Sequence, residues 1–179
     1  GSSLIGSTYF GGNAIDGINY EPSTPSARTF NDALVYNYGD HIRGEVIVDR
    51  NNNIYIGSCT RSTNISGALN QNQGGLEGIV AKFNSDLSSL SWARYHGGSG
   101  SDAVFSLKLL AGNKVLIGGG TNSPNNFPIR VPAYQTLRQG GRADGFLATI
   151  SSDGSTVEQA TYVGTREFDQ IYFVESDRF

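Results

Sequence analysis

The stretch ARYHGGSGSDAVFSLKLLAGNKVLIGGGTNS, residues Ala93 to Ser123, decides the fold, because much of it recurs elsewhere in the chain. Thr8-Tyr9-Phe10-Gly11-Gly12, Arg94-Tyr95-His96-Gly97-Gly98 and Thr161-Tyr162-Val163-Gly164 align on the tyrosine. From Tyr95 to Tyr162 is 67 positions, and the same offset carries EGIVAKF (77–83) onto DGFLATI (144–150) without a gap. Earlier in each unit, IVDRNNNIYIGSCTRS (47–62) matches KLLAGNKVLIGGGTNS (108–123) at an offset of 61. The lost register is regained in the loop that follows, where a change of length costs little. A sustained period of this size is the mark of a repeat architecture, with one supersecondary unit per period.

Each unit reads as four short strands. In the second they are expected near Ala103–Leu110, Lys114–Gly119, Gly145–Ile150 and Val157–Val163, as apolar-rich runs bounded by turn residues. AGN at 111–113 and SDGS at 152–155 are short enough to close tight hairpins, with Asn, Asp and Gly supplying left-handed backbone angles. The first unit departs from this pattern. Gly12 to Asp40 spans 28 positions where Gly98 to Asp102 spans 4, which predicts an insertion of about 24 residues near 13–39. The units divide the chain into residues 1–92 with the insertion, 93–159, and 160–179, the last being the start of a third unit.

Composition agrees with an all-β chain. The 24 glycines in 179 residues are about twice the usual share of ~7%, and glycine is costly inside helices but well used in turns. A net charge of −3 with no basic stripe argues against nucleic acid as a partner. No apolar run approaches the ~20 residues of a membrane-spanning helix, so membrane insertion is not expected. The single cysteine, Cys59, cannot form an internal disulfide and says nothing about compartment. At 60 to 67 residues per unit the chain holds about two and a half four-stranded units, while closed propellers use about four to eight. The expected architecture is therefore a partial β-propeller of four-stranded antiparallel blades, with the remaining blades in a larger parent chain.

YHGGSGSDAVFSL, NKVLIGGGTNS, NNFP, PAYQT, GGRADGFLATISSDGS and TYVG together resemble the bacterial β-propeller repeat family named for its presumed seven blades. The resemblance covers nearly the whole chain, although the first unit lacks the Phe-Pro step and the tyrosine of Ala-Tyr-Gln. It implies a secreted or surface-exposed bacterial protein. In Bacteroidota such proteins are often cargo of type 9 secretion. The family carries no catalytic set, so the resemblance implies neither enzyme activity nor a cofactor.

The candidate chemistry is sparse. Asp40, Asp102 and Asp169 are expected at one recurring position and Glu77 and Asp144 at another, a regularity that suits hydrogen bonds to turn amides better than a unique catalytic pair. His96 takes the place of Phe10 and Val163 and reads as a half-buried packing residue. His41 beside Asp40 is far short of a triad. Cys59 aligns with Gly120 and reads as packed. The DRNNN run at Asp49 lacks the glycine and closing glutamate of a calcium loop and reads as a hairpin turn. No catalytic or metal residue is assigned. The insertion is the one feature the repeat does not require. Its Tyr20, Phe30, Tyr36 and Tyr38 form the candidate loop for a protein or glycan partner, since loops on rigid scaffolds often carry binding. The expected function is a non-enzymatic scaffold, adhesin or secreted-cargo segment. The alternative is a carbohydrate-active or hydrolytic propeller with loop-borne carboxylates, which would need a carboxylate pair.

Overall fold

The computed structural model describes residues 3–17, 34 and 43–177. The described residues form two four-stranded antiparallel sheets in simple up-and-down order. The first contains β1 (Glu45–Val48), β2 (Ile54–Thr60), β3 (Glu77–Phe83) and β4 (Leu90–His96). The second contains β5 (Asp102–Leu109), β6 (Val115–Thr121), β7 (Asp144–Ile150) and β8 (Val157–Val163). The strands of the second sheet fall within two residues of the runs read from the sequence. The hairpins use the anticipated chemistry: Gly112 (φ 72°) and Asn113 (φ 59°) turn β5 into β6, and Gly154 (φ 74°) turns β7 into β8. At the place of Gly154 the first sheet has Leu87, held at φ 62°.

The two sheets stack face to face. Tyr55, Val80 and Trp92 of the first share one core with Val104, Leu107, Ile117, Phe146, Ala148 and Ile150 of the second. The β7–β8 turn seals the outer end of this seam: the Trp92 indole donates to the Ser152 carbonyl (3.1 Å), and Arg94 donates to the carbonyls of Gly154 (3.2 Å) and Ser155 (3.0 Å). At the inner end the packing depends on missing side chains. A Cβ on Gly57 would lie 2.6 Å from Leu107 Cδ2 and 2.9 Å from Val104 Cγ1, and one on Gly78 would lie 3.0 Å from Val104 Cγ2. Glycine in mid-strand here serves close approach of the next sheet rather than a turn.

The same seating occurs a second time. A Cβ on Gly118 would lie 2.7 Å from both Ile171 Cγ2 and Val174 Cγ1, and one on Gly145 would lie 2.9 Å from Ile171 Cγ1. Gly118 and Gly145 are the repeat counterparts of Gly57 and Gly78, and Ile171 and Val174 those of Val104 and Leu107. Residues 168–177 thus pack as a further first strand, although no ladder is completed there. A polar thread also links the first strands: the Ser106 hydroxyl (2.6 Å) and Leu107 N–H (2.7 Å) donate to Glu45, and Val174 N–H donates to Ser106 Oγ (3.1 Å).

The structure moves the insertion. Asp16 bridges Thr60, and Gly17 N–H donates to the Cys59 carbonyl, so residues 13–15 already hold the place of the crossing and Asp16 and Gly17 that of the start of the first strand. Pairing resumes at Glu45 opposite Gly57. The excursion therefore lies between Ile18 and Gly44 rather than near 13–39, and it enters where β5 has its bulge between Val104 and Ser106. An irregular strand position is already out of the ladder, so chain can leave there with little loss of pairing. Leu34 of this excursion is fully buried against Cys59, Leu76, Ala103 and Phe105.

Candidate functional site

The crossing from one sheet to the next is where the repeated polar residues gather. Gly98 N–H (2.8 Å) and the Ser123 hydroxyl (2.7 Å) donate to Asp102 Oδ2, while Gly100 N–H donates to Ser123 Oγ (2.8 Å). Ser123 is itself held by its N–H on Thr121 Oγ1 (3.0 Å). Together these bonds fasten the link that leaves β4 and enters β5. The same set recurs at the start of the chain: Gly12 N–H donates to Asp16 (3.0 Å), the Thr60 hydroxyl donates to Asp16, Ala14 N–H donates to Ser62 Oγ (2.9 Å), and Ser62 N–H to Thr60 Oγ1 (2.9 Å). A third example has Thr165 N–H (2.6 Å) and its hydroxyl (2.8 Å) on Asp169.

Asp40, expected to share the place of Asp102, lies outside the described residues, and Asp16 makes the bonds of that place. The signal for Asp16 was present in the sequence, since Gly12 and Asp16 have the spacing of Gly98 and Asp102.

The second recurring carboxylate begins the third strand. Gln73 N–H donates to Glu77 Oε1 (2.5 Å), and Gln139 N–H to Asp144 Oδ2 (2.8 Å). Glu77 and Asp102 converge from two sheets on Gly97, whose absent Cβ would lie 2.7 Å from Glu77 Oε2 and 2.5 Å from Asp102 Oδ2. Both groups are buried. Burial, assisted by the charge of Asp102, pushes the Glu77 carboxyl up to about 8. Burial raises Asp102 to about 6 against the pull of its hydrogen bonds, and burial likewise raises Asp144, with the Arg138 guanidinium opposing. Glycoside hydrolysis needs a carboxyl pair that flanks a bound sugar and is open to it. Glu77 and Asp102 are closed to solvent, however: Glu77 Oε1 accepts from the loop before β3 and Asp102 Oδ2 from the crossing, while Glu77 Oε2 and Asp102 Oδ1 are buried without a hydrogen-bond partner among the described residues.

The remaining candidates resolve as packing and turns. His96 is fully buried rather than half-buried, between the rings of Phe127 (5.2 Å) and Phe146 (5.0 Å), and neither ring nitrogen has a partner. Burial holds it neutral, with its pKa lowered to about 3. Asp49 accepts from the N–H groups of Asn51 (2.8 Å) and Asn53 (2.9 Å) and from the Asn53 amide (2.8 Å), so its oxygens close the β1–β2 turn. Cys59 is buried. His41, Tyr20, Phe30, Tyr36 and Tyr38 lie outside the described residues. A polar bowl of about 750 Å³ opens between the β1–β2 and β5–β6 turns, lined by Asp49, Arg50, Lys108 and Asn113 among others, and an apolar cleft of about 270 Å³ lies over Leu116 and Leu147 on the outer face of the second sheet. No group of three or more His, Cys, Asp or Glu among the described residues is placed to hold a metal ion. No family model matches the chain, and no curated protein matches it.

Proposed function

We propose that the chain is a run of consecutive blades of a bacterial β-propeller, exported or displayed at the cell surface, and that it works as a non-enzymatic scaffold presenting loops to a protein or glycan partner. The observation that carries this reading is the doubled seating of a first strand on a glycine floor. Val104 and Leu107 sit over Gly57 and Gly78 as Ile171 and Val174 sit over Gly118 and Gly145. Stacking by one repeated step generates a ring where the step closes. The scaffold role is supported by how the buried polar groups are spent: the recurring carboxylates fasten strand crossings, once per unit, whereas catalytic sites are asymmetric. Export and surface display rest on the sequence resemblance. The excursion between Ile18 and Gly44 is the segment assigned to the partner, because it is the one segment that the repeat does not need.

Removal of residues 19–43 tests this. Asp16-Gly17-Ile18-Gly44-Glu45 then reproduces the register of Asp102-Ala103-Val104-Phe105-Ser106, so the variant is expected to fold, less stable by the loss of Leu34. Binding of the intact chain to a glycan array or to cell-envelope proteins should disappear in the variant. Equal binding by the variant would refute the assignment of the excursion.

A further inference from the structure

Leu4–Phe10 holds the sequence place of a fourth strand but is paired with no sheet among the described residues. The segment LIGSTYF aligns with β4, LSWARYH, residue for residue through Tyr9 and Tyr95. It is also seated like β4. Phe10 packs on the first-sheet cluster of Ile79, Ala81 and Phe83 and meets Phe83 edge-on (5.4 Å), while His96 meets Phe146, the counterpart of Ile79, on the second sheet (5.0 Å). The backbone of Gly6 lies against the β3–β4 turn at Asp86, as Trp92 lies against the β7–β8 turn at Gly154. Gly12 is held by Asp16 as Gly98 is by Asp102. What differs is the other side. Tyr95 is 2% exposed, gives its hydroxyl proton to Ser62 O (2.9 Å) and pairs its strand with Gly78–Phe83. Tyr9 and Leu4 stand 101% and 82% exposed, and residues 4–10 form no strand. Beside them Val46, the counterpart of Leu107, is 61% exposed where Leu107 is 1% exposed.

We infer that residues 4–10, with Val46 and Val48, are a docking surface for a three-stranded antiparallel sheet of this same repeat, which residues 4–10 complete as its fourth strand. The edge of the partner is a strand of the β3 and β7 kind, an acidic residue and glycine followed by alternating apolar residues. Its face carries glycines at the places of Gly57 and Gly78, and Val46 seats there as Leu107 does. Strand addition of this sort takes affinity from main-chain hydrogen bonds and specificity from alternate side chains. The register follows from the existing seams: Thr8 opposite the counterpart of Leu147, as Thr161 is. This rests on the propeller reading for the identity of the partner, but its geometry comes from the two seams alone.

The test is the full chain carrying, directly ahead of Ser3, a second copy of its own residues 97–155. That copy supplies three strands and ends where residue 3 takes the place of Thr156. Amide exchange of Leu4–Phe10 is expected to slow by about 100-fold or more, and Tyr9 to lose its reactivity toward nitration. Tyr9→Glu in the extended chain should abolish that protection, while in the unextended chain it leaves the thermal midpoint unchanged. Exchange at residues 4–10 as fast as in the unextended chain overturns the inference. The ring reading is decided separately by particle imaging of the parent polypeptide: an open stack refutes the ring and leaves strand completion standing.

Discussion

Leu107→Ala and Val46→Ala form one experiment, because the two residues hold the same place in the repeat and differ only in what lies beyond them. Leu107 is buried on the floor made by Gly57, while Val46 faces outward. Truncating Leu107 removes buried methyl and methylene groups and leaves a void beside a glycine that has no side chain to fill it. Buried Leu→Ala changes cost about 2–5 kcal/mol, and the rigid strand floor places this one near ~3 kcal/mol. For a chain of this size that is a fall of roughly 6–12 °C in the thermal midpoint. Val46→Ala removes groups already in water and should stay within about 0.5 kcal/mol. Urea unfolding followed by Trp92 fluorescence reads both, since the indole lies in the same seam. Equal losses for the two variants would refute the seam geometry. A loss below about 1 kcal/mol at Leu107 would do the same.

Two further outcomes follow from the carboxyl pair and the buried histidine. Gly97→Ala places a methyl group against both Glu77 and Asp102, and neither carboxyl can retreat without losing its donors, so destabilisation of about 2 kcal/mol or more is expected by urea titration. The pH dependence has two opposing limbs. The pKa of Glu77 is raised in the fold, so its contribution is complete below 4.5 and is lost as pH rises toward 8. The pKa of His96 is lowered, so its contribution is complete above 6.5 and is lost as pH falls toward 3. Asp102, raised to about 6, adds to the limb that falls with rising pH, so stability should peak near about pH 4; Glu77→Gln should shrink the alkaline limb and His96→Val the acid one, each read from midpoints across pH. An unchanged alkaline limb in Glu77→Gln would refute the role given to that residue.

The strands were legible because tyrosine, paired glycines and Asp-Gly recur at a spacing that only repeated local structure explains. The position of the excursion was ambiguous. Asp16 stands at the Gly98–Asp102 spacing from Gly12, but Asp40 precedes the run that aligns with the first strand, and the bonds that Asp16 accepts from Gly12 N–H and the Thr60 hydroxyl make the choice. The glycine floor was half legible. The run Gly118-Gly119-Gly120 is visible in the sequence, but what Gly118 leaves room for is Ile171 and Val174, more than fifty residues away. The Glu77–Asp102 pair was hidden for the same reason. Each residue recurred visibly, but their convergence on Gly97 is a product of the sheet crossing.

The most direct test of the stacking is a set of nuclear Overhauser contacts in a methyl-labelled chain. Contacts should join the Leu107 methyls to the Gly57 α-protons and the Ile171 and Val174 methyls to those of Gly118. Their presence at the first pair and absence at the second, or absence at both, would contradict a repeated step from sheet to sheet.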